Sequence, residues 1–143
     1  MSSAAQDPGQ RLQAEPAVDD IRVLTADDDQ VFRGALRDLI RAAAGFVLVG
    51  EACSGEEAIG AVEALAPDLV LMDVVMPGMG GVAATKTIVS RRPDVRVVLI
   101  SVNDPSLSFG ASTLDSAVAC ARKQDLRPTL LRHLCQSGRA SSS

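Results

Sequence analysis

Residues 69–81 read LVLMDVVMPGMGG. Leu69 to Met72 is an unbroken apolar run, without the polar alternation of a strand that shows one face to water. Such a run suits a strand covered on both faces, which points to a parallel sheet with helices above and below it. Asp73 follows at the carboxyl end of that strand, ahead of a loop marked by Pro77, Gly78 and the pair Gly80–Gly81.

Outward from this stretch, short apolar runs alternate with longer amphipathic ones. Strands are predicted over Ile21 to Ala26, Phe46 to Ala52, Leu69 to Met72, Val95 to Ile100 and Ala117 to Arg122. Between them VFRGALRDLIRAA, GEEAIGAVEALA and GVAATKTIVSRR carry helical spacing. Ser54 and Glu57 form a capping-box pattern, and Asp125 is the expected cap of a last helix with Pro128 in its first turn. The pattern is α/β: five βα units, giving a five-stranded, doubly wound parallel sheet. The stretch SLSFGASTLDSAVACA has no clear amphipathic period, so a helix there is expected to be short or irregular.

The chain has 143 residues, 47% of them hydrophobic, which is enough for one compact domain and too few for two. With three Phe and no Trp or Tyr, its core must be aliphatic. Residues 1–19 and 136–143 are small and polar without periodicity, and are expected as disordered tails around a domain spanning 20–135. The net charge of -4 argues against a nucleic-acid surface, so direct nucleic-acid binding by this chain is not expected. Cys53, Cys120 and Cys135 form no CxxC pair, and with His133 as the lone histidine they suggest neither a disulfide framework nor a zinc site. No secretory leader and no run of about 18 apolar residues is present, so a cytoplasmic protein without membrane contact is expected.

In an open parallel sheet the ligand crevice lies outside the carboxyl ends of the strands. Those ends carry Asp27, Asp28 and Asp29 after the first strand, Asp73 after the third, Ser101 after the fourth and Lys123 after the fifth. Singly, each has a plain reading: an acidic run as a solvated loop or helix cap, a serine bonded to backbone, a lysine in solvent. Together they are harder to dismiss. Carboxylates gathered in a partly desolvated crevice repel, and an oxygen-ligated divalent cation, Mg²⁺, with a facing lysine, relieves the repulsion.

The blocks LTADDDQVFR, LVLMDVVMPGMGG, VVLIS and RKQDL, in this order and spacing, resemble bacterial two-component response-regulator receiver domains of the CheY-like superfamily, and among them the nitrate-response (NarL/FixJ) type. The resemblance covers roughly residues 20 to 135, and MDVVMPGMGG is its most specific part. It implies a flavodoxin-like strand order 2-1-3-4-5. It implies that Asp73 accepts a phosphoryl group from a sensor histidine kinase, and that Asp28, Asp73 and the backbone carbonyl of Val75 ligate Mg²⁺ while Asp27 reaches the ion through water. Ser101 would bond the phosphoryl oxygen and Lys123 would pair with the carboxylate or the phosphoryl group. It further implies a signalling domain rather than a conventional enzyme, with slow self-dephosphorylation, kinase recognition by Gln30 to Ala43, and an output surface on the fourth helix and the fourth and fifth strands. A homodimer is an expected partner mode, as is a transcription-regulating output domain if the chain is a fragment.

Three positions depart from the family pattern. Cys120 stands where receivers usually carry the Tyr or Phe that reports the state of the Thr/Ser, so signal transmission is expected to be wired differently. Ala117 and Val118 replace a common Gly-Ala. Three other readings compete. A haloacid-dehalogenase-type phosphatase needs a second Asp at the position of Val75. A flavodoxin-like cofactor binder would want a phosphate-cradling loop where Asp27 to Asp29 stand. A degenerate receiver would bind partners without phosphate, against which Asp27, Asp28, Asp73, Ser101 and Lys123 argue as a complete set.

Overall fold

The computed structural model describes residues 20–102 and 118–142, with the side chains of Val118 and of residues beyond Cys135 left aside. Five strands, β1 (Ile21–Ala26), β2 (Phe46–Ala52), β3 (Leu69–Asp73), β4 (Arg96–Ser101) and β5 (Val118–Arg122), form one sheet in the order β2-β1-β3-β4-β5. Every neighbouring pair is parallel. The helices are α1 (Gln30–Ala42), α2 (Gly55–Leu65), α3 (Gly81–Arg91) and the C-terminal α4 (Pro128–Ser142). Strand order reverses between β1 and β3, so the chain leaves these two strands in opposite directions and opens a crevice at their carboxyl ends.

Alternation along each strand builds two cores. Leu24, Ala26, Val70, Met72, Val97 and Leu99 face α2 and α3 residues such as Val62, Ala84 and Ile88. Val23, Leu69, Leu71, Val98 and Ile100 face Leu36 and Ile40 of α1 and Leu131 and Cys135 of α4. Every residue of β3 is buried, as its apolar run requires of a central strand.

β1 and β2 have the boundaries read from the sequence. β3 and β4 each extend one residue further, taking Asp73 and Ser101 into the ladder, while β4 begins one residue later; the expected start of β5 at Ala117 lies outside the described residues. The capping box at α2 forms with one change: Ser54 Oγ accepts from Glu57 N at 3.1 Å, but Glu57 Oε1 accepts from Cys53 N at 2.6 Å rather than from the cap residue. Asp125 does not cap the last helix. It ends a 3₁₀ turn over Lys123–Asp125, and α4 starts only at Pro128, because a residue preceding proline is pushed out of the helical region and Arg127 must stay extended. The backbone of α4 runs to Ser142, past the expected boundary at residue 135. The irregular helix expected before β5 and the tail over residues 1–19 fall outside the described residues.

Gly81 couples the sheet to α3. Its N–H donates to Val74 O at 3.0 Å, and a Cβ at this position would collide with the carbonyl of Asp73, which is backbone and cannot swing aside. Gly80, just before it, has φ 82°, a left-handed conformation that other residues adopt at a cost. The Gly pair is thus a steric requirement of the loop after Asp73. Gly81→Ala is expected to lower stability by about 2–3 kcal/mol, read as a reduced urea midpoint at unchanged m-value. An unchanged midpoint would show that the loop has slack the packing does not reveal.

Candidate acidic metal site

The three consecutive acids after β1 have three different fates. Asp27 is fully buried; its Oδ1 accepts from Asp29 N at 2.8 Å and its own N–H donates to Ala52 O. Asp28 is exposed at the mouth of the crevice. Asp29 caps α1, its Oδ1 accepting from Val31 N at 2.9 Å and Phe32 N at 3.4 Å. Capping fixes the start of α1 and thereby the turn that presents the other two.

Asp73 sits across the β1/β3 boundary, buried to 5% exposure. Ala26 pairs with Met72, so the residues that follow each, Asp27 and Asp73, leave adjacent strands at the same level. One carboxylate oxygen from each of Asp27, Asp28 and Asp73 lies within 4.8 Å of the others. Lys123, brought in from the end of β5, places Nζ 2.8 Å from Asp27 Oδ2 and 3.6 Å from Asp73 Oδ2. Ser101 is buried at the end of β4, one residue past Ile100, which pairs with Asp73. Val75 is exposed, and its N–H donates to Asp73 Oδ1 at 3.4 Å. The structure therefore gathers Asp27, Asp28, Asp73 and Lys123 directly, with Ser101 and Val75 on the adjoining strand end and loop.

Charge decides what this arrangement can hold. At an effective dielectric near 20, two carboxylates this close repel by about 3 kcal/mol. Burial, and next the charge of Asp27, push the Asp73 carboxyl up to about 6 from 3.8, against the pull of Lys123 and the Val75 amide. Burial alone would lower the Lys123 ammonium, but its contact with Asp27 and the charge of Asp73 override that and raise it. One lysine against three acids leaves two negative charges uncompensated. Asp27 Oδ2 is buried and has the Lys123 cation beside it, yet no hydrogen-bond donor is aligned on it. An all-oxygen donor set with surplus charge of minus two suits a hard divalent cation, Mg²⁺ in particular.

Two residues that sequence reasoning passed over support the site from α1. Arg33 donates from Nη1 to the carbonyl of Asp27 at 2.7 Å, while its Nε stands 3.7 Å from Glu51 on β2. Phe32 lays its ring 4.2 Å from Lys123 Nζ. Both lie in the first helical turn, where Phe32 also joins the apolar face with Leu36 and Ile40, and their sequence signal for the site is nearness to the acidic run. Cys120 lies half-buried in β5, packed against the core beside α2 and α3.

The response regulator receiver domain family model matches residues 23–124. The chain is 43% identical over 82 residues to response regulator GacA of Pseudomonas viridiflava, covering 57% of this chain and 38% of that protein. It is 37% identical over 84 residues to transcriptional regulatory protein DegU of Brevibacillus brevis, covering 59% and 36%. The chain thus matches less than two-fifths of the length of these relatives. Among solved structures, a LuxR-family two-component response regulator from Aurantimonas superposes with TM-score 0.72 at 27% identity, covering 85% of this chain and 86% of that one. The response regulator domain of Thermotoga maritima CheB superposes with TM-score 0.70 at 28% identity, covering 84% and 97%.

Because the folded site favours the protonated form of Asp73, its contribution to stability is present at low pH and is lost as pH rises from about 4 to about 6. In chelator, the wild type is expected to lose about 2 kcal/mol relative to Asp73→Asn across that window, measured by thermal unfolding. Parallel curves for the two proteins would contradict the repulsion described here.

Proposed function

The chain belongs to the response regulator receiver domain family, and on that premise we propose that Asp73 is its phosphoacceptor, charged by a sensor histidine kinase. The observation that carries this reading is the Lys123 ammonium set between the buried carboxylates of Asp27 and Asp73 in an acidic cluster. One of the Asp73 oxygens attacks phosphorus as the bond to the donor's leaving atom breaks, and the negative charge on the equatorial oxygens must be met from the side. Lys123 meets it from β5, and Ser101 offers a hydroxyl at the end of β4. Asp28, Asp73 and the Val75 carbonyl would hold Mg²⁺ directly and Asp27 through a water, and the ion would supply the remaining positive charge.

The Val75 N–H, donating to Asp73 Oδ1, orients the carboxylate and leaves Oδ2 toward Lys123. The product acyl phosphate is open to water in the same crevice, so slow self-dephosphorylation accompanies acceptance. Ser101 moving toward the new phosphate is the first step of signalling, with the β4–β5 end of the sheet as output face and Cys120 in place of the usual aromatic reporter. Residues 103–105, the next part of that path, lie outside the described residues. No described helix is long and apolar enough to cross a membrane, and a cytoplasmic location fits this role. We further propose receiver limits near residues 20–135 and, as for the regulators it resembles, service as the regulatory part of a transcriptional regulator. A homodimer is an assembly open to it.

Incubation with acetyl phosphate and Mg²⁺ followed by intact-mass measurement is expected to show one added phosphoryl group. The gain should need the metal and vanish in Asp73→Asn; label retained by that variant at wild-type level would sink the assignment. Asp28→Ala is expected to raise the Mg²⁺ concentration for half-maximal phosphorylation roughly tenfold or more while the protein stays folded. An unchanged requirement would remove Asp28 from the ligand set.

A further inference from the structure

Lys123 meets a third surface besides the two carboxylates. Phe32, in the first turn of α1, holds its ring centroid 4.2 Å from Nζ. The ring's backbone is tied to the loop that presents the acids, since Phe32 N donates to Asp29 Oδ1. The Lys123 side chain is itself only 15% exposed. A lysine has a long flexible stem and three donors, so its ammonium needs restraint to stay in one place. Further carboxylates would restrain it by consuming its charge. A ring face attracts the cation through its quadrupole and leaves the charge available to an incoming anion.

We infer that Phe32 is a positioning residue for phosphoryl transfer, its ring face holding the Lys123 ammonium over the crevice where the phosphoryl oxygens arrive. This rests on the reading of Asp73 as phosphoacceptor. Phe32 also packs against the core formed by Leu36, Ile40 and their neighbours, so apolar bulk at this position has a structural use as well. The two roles separate by chemistry: leucine supplies bulk without a ring, tyrosine supplies both, and pentafluorophenylalanine keeps the shape while reversing the charge of the ring face.

The test follows the rate of mass gain from acetyl phosphate in wild type, Phe32→Leu, Phe32→Tyr and the protein carrying pentafluorophenylalanine at position 32. At saturating Mg²⁺ the leucine and fluorinated proteins are expected to react about fivefold more slowly, with the Mg²⁺ half-saturation point unmoved, and the tyrosine protein within about twofold of wild type. Nuclear magnetic resonance supplies the signature of contact. The ε-methylene protons of Lys123, shifted upfield by the ring in wild type and Phe32→Tyr, should return to ordinary values in Phe32→Leu. The fluorinated protein keeps the inference testable if the leucine variant does not fold.

Wild-type rates in the leucine or fluorinated protein would overturn the inference and leave the acceptor reading intact. So would slower rates matched by a higher Mg²⁺ requirement, which would mark a loosened loop. No mass gain in the wild type itself would overturn the acceptor reading, and the role in transfer with it, while the proton shifts alone would still report whether the ring holds the lysine.

Discussion

Two carboxylates buried at the ends of adjacent parallel strands are the constraint to which the rest of this molecule answers. Asp27 and Asp73 are brought level by the register of β1 on β3, and both are shut away from water. Lys123 reaches both from the end of β5, two places from β3 and three from β1, which requires β4 and β5 to be stacked beside β3 in the right order. The site is therefore a property of the whole sheet. Its residual charge, still negative after the lysine is counted, suits a divalent cation.

The loops divide the remaining work. Asp29 spends its carboxylate on the start of α1, which fixes the direction in which Asp27 points inward and Asp28 outward. Gly80 and Gly81 let α3 begin against the Asp73 carbonyl, so the loop carrying Val75 is short and pinned at both ends. Arg33 holds the carbonyl of Asp27 while reaching toward Glu51, a residue that Arg37 also grips through two hydrogen bonds. Helix α1 thus acts as a brace for the acidic turn as well as a cover for the core.

Most of the fold was legible because its signals are local. The unbroken apolar run of Leu69 to Met72 can only be a strand hidden on both faces, and the alternation of such runs with amphipathic stretches selects a parallel sheet. The acids, serine and lysine were legible by their place after those strands. Asp125, a good capping residue near a proline, does not cap the helix because the proline's own demand on the residue before it sets the helix start. Arg33 and Phe32 were invisible because nothing local distinguishes a helix-surface arginine or phenylalanine that turns toward a neighbouring loop from one that does not.

The sequence by itself determined the fold class, the strand limits to within a residue among the described residues, and the identity of the groups at the carboxyl edge, since periodicity and residue chemistry act over a few positions. Only the tertiary structure decided which of three consecutive acids is buried, which is exposed and which caps a helix. It alone showed that the lysine lies nearer Asp27 than Asp73 and that an aromatic ring stands beside it. Those outcomes depend on distances between residues far apart in the chain, and such distances are set by packing and strand register, which no local pattern encodes.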